Sequence, residues 1–274
     1  TPNPCVLCNP TFKFQVLIET ADDLHSAWIA TGHYARVVRD SRNAARLFAG
    51  AASGKDQSYA LYRLRQSQLR RLHLPLGNLA TKARVRELAR RYQIPNAERA
   101  DSQDLCFVGG GDYREALRAE RPEAFRPGPI FNEAGERLGE HTGLPGYTVG
   151  QRSGLGIAST QRLYVLRLDP TRNALIVGPR TELARTTCRV DRVTFIAGAP
   201  PAARFRATGR IRYRAPLSPL TVEMRNDRQA RVTFDNPQRG VAPGQSVVFY
   251  RDDEVLGGGL IANTPSQSET QPLS

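Results

Sequence analysis

The 274-residue chain changes texture near Arg121, and that change limits its fold more than any other feature. Before it, apolar residues recur at helical spacing, as at Phe14, Leu17, Ile18, Ala21 and Leu24, beside short apolar runs such as Ala27 to Ala30. After it come short segments punctuated by Gly and Pro: Gly128 to Asn132, Glu136 to Glu140, Leu163 to Asp169 and Ala174 to Gly178. From Cys188 onward alternating strands dominate, including Phe205 to Tyr213, Thr221 to Met224, Arg231 to Phe234, Ser246 to Tyr250 and Val255 to Ile261. That spacing argues a small all-β barrel or sandwich. The chain therefore reads as α/β followed by β, and at about 150 residues per domain it holds two or three domains.

In the first part, Asn9 fits an N-cap and Pro10 the first position of the helix that carries the apolar stripe. The run Ala27 to Ala30 predicts a buried strand ending at Thr31-Gly32-His33, the kind of sheet edge where ligands of open α/β sheets gather. A hairpin follows, Tyr34 to Arg39 and Arg46 to Ala51 around a turn at Asp40 to Asn43. Helices are expected near Gln66 to Leu72 and Thr81 to Tyr92, and Asp112 with Glu115 makes a capping-box pattern for another.

Arg and Lys total 39 against 26 Asp and Glu, a net charge of +13 that favours a polyanionic partner. Part of the excess lies between Leu61 and Ala100, and part at Arg204, Arg206, Arg210, Arg212 and Arg214. The alternation of those five would place them on one strand face, able to track a phosphate backbone; a solvated basic face is the plainer alternative. No apolar run reaches about 18 residues and no signal pattern opens the chain, so no membrane span or leader is expected. Four cysteines are too few for a disulfide framework, which points to a reducing, cytoplasmic setting. The only methionine is Met224 and residue 1 is Thr, so a preceding segment is expected. The polar end, residues 263–274, reads as a disordered tail.

The strongest local motif is TPNPCVLCN, in which Cys5 and Cys8 form a C-x-x-C pair beside a helix start. The positive end of a helix dipole favours the thiolate, a nucleophile or metal ligand. Half of a zinc knuckle is the alternative, but zinc needs four ligands and there is no second C-x-x-C. Cys106 lies in DSQDLCFVGGGDYREAL, where Gly109, Gly110 and Gly111 allow close approach or movement, while Cys188 reads as strand filler. The loop SGKDQSY offers Lys55, Asp56 and Gln57, without the spacing of a P-loop. His33 is either a nucleotide or base contact or a structural histidine. The Gly-rich GEHTGLPGYTVGQRSGLGI is either an Arg-bearing RNA turn or a structural loop.

Together with ATGHYAR, RIRYR and PGQSVVFY, these strings resemble the tRNA-specific 2-thiouridylase family in order and spacing, from Thr1 to about Ile261. The resemblance implies a truncated adenine-nucleotide hydrolase-like (ATP-pyrophosphatase) domain over 1–123, a small central domain over 124–189 and a C-terminal β-barrel over 190–262. It implies a tRNA-uridine 2-sulfurtransferase that adenylates the C2 oxygen of the wobble uridine with ATP and Mg2+, then replaces it with persulfide sulfur. Its partners would be tRNA and a persulfide-donating sulfurtransferase or sulfur-relay protein. By this resemblance Cys106 carries the sulfur and Cys8 is its partner, while Asn3, Pro4 and Cys5 line the target base. Gly32 would touch ATP, and His33, Lys55, Asp56, Gln57, Arg212, Tyr213 and Gln245 would contact tRNA.

Three departures qualify the match: the family's S-G-G-x-D-S phosphate loop is absent, Cys5 stands where Asp is common, and Ser153 where Lys or Arg is common. The expectation is that the full-length parent is the enzyme and that this chain alone neither binds ATP appreciably nor thiolates tRNA. Cys5, Cys8 and Cys106 also open an alternative, three thiolates holding an iron-sulfur cluster with one iron left for sulfur.

Overall fold

The computed structural model describes residues 2–98 and 112–262; Cys106 and the tail 263–274 lie outside the described residues. Helical structure starts at Cys5, well before the apolar stripe. One turn, α1 (Cys5–Cys8), passes through a π turn (Asn9–Lys13) into α2 (Phe14–Asp23). Pro10 accounts for the wide turn: it has no N–H to give, and its ring would strike the carbonyl of the preceding turn in a regular helix. Asn9 is thus not the cap its position predicted. It is buried, and its Nδ2 donates to the Ala60 carbonyl at 3.0 Å. Asn3 serves the helix start instead, its Oδ1 accepting from Cys5 N at 3.0 Å.

There follow β1 (Ile29–Ala30), the hairpin β2 (Ala35–Arg39) and β3 (Ala45–Ala49), α3 (Gln66–Leu69), β4 (Leu72–His73) and α4 (Lys82–Arg91). The hairpin turns through Asn43 at φ 60°, a conformation Asn tolerates. Thr81 caps α4, its Oγ1 accepting from Arg84 N. β1 pairs with β4 in parallel, so Gly32 and His33 follow the carboxyl end of a parallel strand.

In the second stretch, Asp112 caps α5 (Tyr113–Glu120), its Oδ1 accepting from Arg114 N at 2.9 Å. β5 (Gly128–Asn132), β6 (Arg137–His141), β7 (Tyr164–Asp169) and β8 (Ala174–Gly178) form a sheet in the order β6-β5-β8-β7. Ile130, Val165, Leu175 and Val177 make its core with Tyr147 and Leu155. His141 is fully buried there; Gly143 N donates to its Nδ1, which leaves the Nε2 proton for the Asn173 carbonyl at 3.0 Å. Residues 112–185 with 237–242 make up this unit.

β9 (Ala184–Phe195), β10 (Arg204–Arg210), β11 (Ser218–Asn226), β12 (Gln229–Arg239), β13 (Ser246–Arg251) and β14 (Glu254–Ile261) close a six-stranded barrel. The order is β13-β10-β11-β12-β9-β14, with β14 returning to β13. Cys188 is buried on β9, and burial pushes its thiol up to about 12, as its strand pattern suggested for a structural cysteine. The N-terminal hairpin extends the same sheet: Leu47 pairs with Val255 and Phe48 with Glu254. One core runs through Phe14, Leu47, Leu61 and Leu72 to Ile196, Val248, Tyr250 and Val255. Residues 2–98, 186–236 and 243–262 are therefore a single unit.

The five alternating arginines do not share one strand face. β10 ends at Arg210, whose half-buried guanidinium turns toward Asp56, and Arg212 and Arg214 lie in the turn beyond, with Arg214 at φ 64°. Arg206 is exposed but forked onto the Asp235 carboxylate at 2.7 and 2.5 Å.

Candidate functional site

Three segments of the larger unit carry most of the expected site residues. The first is the helix start. Cys5 and Cys8 sit three apart on one face of α1, both half-buried, in a turn closed by Cys8 N donating to the Pro4 carbonyl at 2.9 Å. Pro2 runs against the other end of the unit, since a Cβ on Gly244 would lie 3.1 Å from its Cγ.

The second segment is the loop 50–60, which contains the SGKDQSY string. Asp56 is buried at its centre: Oδ1 accepts from Gly50 N at 3.1 Å and Ser58 N at 3.0 Å, Oδ2 from Ser58 Oγ at 3.1 Å and Arg210 Nη1 at 2.9 Å. Gln57 faces His33's neighbour, its Oε1 accepting from Tyr34 N and its own N donating to Tyr34 O, each at 2.9 Å. Lys55 ends a short 3-10 turn and is half-buried. It lies within electrostatic reach of Lys82, whose ammonium is held below its usual range by loss of water, then by Arg86 and Lys55. The Lys55 loop and the start of α4 therefore lie close enough for their charges to act on one another, while Arg84 and Arg90 are paired with Glu87 and Glu98.

The third segment belongs to the barrel. Gln245 is buried just before β13, where Ser246 receives the loop: Tyr59 donates its phenol proton to the Ser246 carbonyl at 2.8 Å, and Tyr62 OH lies 3.2 Å from Ser246 Oγ. Tyr213 packs with its ring centroid 6.1 Å from that of Tyr59, and Arg212 beside it is exposed. The Asn9–Ala60 bond links the same loop to the helix bearing Cys8.

The His33 ring lies tilted against Phe14, centroids 5.6 Å apart, and its Nδ1 lies 2.8 Å from Thr31 Oγ1. Burial, and secondarily Lys13, lower its pKa to about 4, so the imidazole is neutral near pH 7 and offers a hydrogen bond rather than a charge. Gly32 is exposed, and a Cβ there would only touch Leu76 at 3.5 Å, which leaves a backbone edge open to a ligand. Sequence reasoning gave no role to Ser246 or to Tyr250, whose OH lies 3.3 Å from Ser58 Oγ, read Asn9 as a cap and misjudged Arg210. The RIRYR string contains Arg210, but its partner lies 154 positions away.

Among the described residues no cluster of three or more His, Cys, Asp or Glu could hold a metal ion; the iron-sulfur alternative depends on Cys106. No described helix is long and apolar enough to cross a membrane.

Residues 1–110 match a family described as the tRNA methyl transferase HUP domain, 115–179 its PRC-barrel domain and 185–261 an aminomethyltransferase beta-barrel domain. The chain is 48% identical to the tRNA-specific 2-thiouridylase MnmA of Roseiflexus castenholzii, covering 96% of this chain and 74% of that protein. It is 47% identical to the protein of that name from Moorella thermoacetica, over 95% of this chain and 73% of the relative. The relative of the same name from Chlorobium phaeobacteroides is 44% identical over 97% and 75%. With a HUP-type domain, a PRC-barrel domain and a C-terminal barrel in that order, the chain belongs to the tRNA-specific 2-thiouridylase family, the tRNA-uridine 2-sulfurtransferases.

Proposed function

We propose that this chain serves ATP-dependent 2-thiolation of the wobble uridine of tRNA in the cytoplasm, with sulfur passed through a cysteine persulfide. The observation that carries the proposal is the meeting of three distant segments, the Cys5–Cys8 turn, the 50–60 loop and the barrel residues 210–213 and 245–246, through Asn9–Ala60, Asp56–Arg210 and Tyr59–Ser246. Asn3, Pro4 and Cys5 line the target base. Lys55, Gln57, Arg212, Tyr213, Gln245 and the neutral His33 meet the RNA. Gly32 would offer its backbone edge to ATP, which with Mg2+ would adenylate the uridine C2 oxygen with release of pyrophosphate and so make that oxygen a leaving group.

Cys106 receives the outer sulfur of its persulfide from a sulfurtransferase or sulfur-relay protein. The Cys8 thiolate then attacks the inner sulfur and a Cys8–Cys106 disulfide closes, while the outer sulfur leaves as hydrosulfide and adds at C2, from which the activated oxygen departs with AMP. An external dithiol returns the pair to thiols. Iron and acid-labile sulfide in anaerobically purified protein would instead assign Cys5, Cys8 and Cys106 to a cluster.

Deleting the gene that encodes this chain is expected to remove 2-thiouridine from cellular tRNA, read by mass spectrometry of nucleosides. The wild-type gene restores it, and the Cys8→Ser and Cys106→Ser versions do not. Unchanged 2-thiouridine after deletion overturns the proposal.

A further inference from the structure

The Asp56–Arg210 ion pair is held largely out of water, its side chains 2% and 17% exposed. An ionised carboxylate has about four lone-pair sites. Two backbone N–H groups, one hydroxyl and one guanidinium N–H supply a donor for each at Asp56, so it has no acceptor capacity left for an RNA hydroxyl or base. Its charge would also repel phosphate. Arg210 is held on its side of the pair: Nη1 is on Asp56, the guanidinium carbon lies 5.5 Å from the Tyr250 ring centre, and Nε is buried, turned away from water and without a hydrogen-bond partner. A buried ion pair adds little net stability over an apolar pair, but breaking one side strands a charge, so the two groups hold each other in one arrangement.

The position of the pair gives that arrangement a use. Asp56 lies between Lys55 and Gln57, and Arg210 lies two residues before Arg212. We propose that Asp56 and Arg210 are positioning residues, a latch that sets Lys55 and Gln57 against Arg212 and Tyr213 at the spacing tRNA requires, and that neither touches RNA. This rests on tRNA being the substrate, as proposed above. It separates Asp56 from the flanking residues of a loop that the family resemblance treats as one contact.

The test combines tRNA affinity by fluorescence anisotropy with amide exchange over residues 50–58 in the full chain. Arg210→Gln and Asp56→Asn are each expected to weaken binding about tenfold, near 1.4 kcal/mol, and the double variant no further. Arg210→Lys, which keeps a cation for Oδ2, restores most of the affinity. Exchange over 50–58 accelerates in the Gln variant and not in the Lys variant. Should Arg210→Gln fail to fold, Arg210→Lys and Ser58→Ala carry the test, since Ser58→Ala removes one donor from Asp56 and is expected to loosen the loop and weaken binding together. Fully additive losses, or undiminished affinity with a loosened loop, overturn the latch. A wild-type protein that fails to bind tRNA overturns the substrate reading and the latch with it.

Discussion

His33 is held neutral by its surroundings: burial against Phe14 and the nearby Lys13 ammonium lower its pKa from the usual 6.5 to about 4. Between those values the unfolded chain binds the proton and the folded chain does not, so stability falls as pH drops from 6.5 toward 4 and levels off below. Urea unfolding from pH 7 to 4 is expected to show a shallower acid loss for His33→Gln than for the wild type. Lys13→Met is expected to raise the imidazole pKa, read by NMR titration of the ring protons. Cys188 makes the opposite case of a silenced group. With its thiol near 12 and buried on β9, it should resist alkylation at pH 8 in the folded protein and react only after unfolding, while Cys5 and Cys8 are modified. Mass spectrometry of tryptic peptides reads the difference. The alternating neighbours of Cys188 made its role legible in sequence. The neutral state of His33 was not legible, because it depends on a ring from α2 and a cation from the π turn meeting the end of β1.

Elements with local causes were legible, and those with distant causes were not. The hairpin, the helix expected near Thr81 to Tyr92 and the helix started by Asp112 follow from residues beside them, and the structure has all three. Pro10 misled because a proline marks a first helical turn far more often than a π turn within a helix. What fixes the continuous helix is Asn9, whose amide reaches the Ala60 carbonyl. Asn9→Ala is expected to cost about 1–3 kcal/mol by leaving a buried acceptor unpaired, measured as a lowered urea midpoint with an unchanged slope. Gly77 decides a second junction. It lies against the backbone of β2, and a Cβ there would drive into the Ala35 carbonyl. Its neighbour contact, Ala51 N donating to Gly77 O at 2.9 Å, would be lost as the strands parted. Gly77→Ala should therefore destabilise more than Asn9→Ala, by about 3 kcal/mol or more, read on the same urea scale.

At the scale of the molecule, the texture change near Arg121 correctly separated α/β from β, yet the larger folding unit crosses it. The hairpin pairs with β14, and Leu47 and Leu61 share a core with Val248 and Val255, residues roughly two hundred positions later in sequence. Sequence patterns report which face of a strand is apolar and not which distant strand covers it, so this union was invisible. It explains how the helix bearing Cys8 and the barrel bearing Arg212 come within one compact unit. It also predicts cooperative unfolding of the N-terminal hairpin with the barrel. Leu47→Ala removes a fully buried side chain at their junction, at a cost of about 2–5 kcal/mol. If the unit unfolds as a whole, native-state amide exchange should slow-protect β2 and β3 to the same free energy as β13 and β14, and the substitution should lower all four by one common amount. A loss confined to β2 and β3, with β13 and β14 unchanged, would mean that the hairpin opens independently. The two halves of the candidate site would then be joined by the 50–60 loop through its bonds to Ser246 and Arg210, by Tyr62 against Ser246 Oγ and by Gln66 donating to the Ile196 carbonyl.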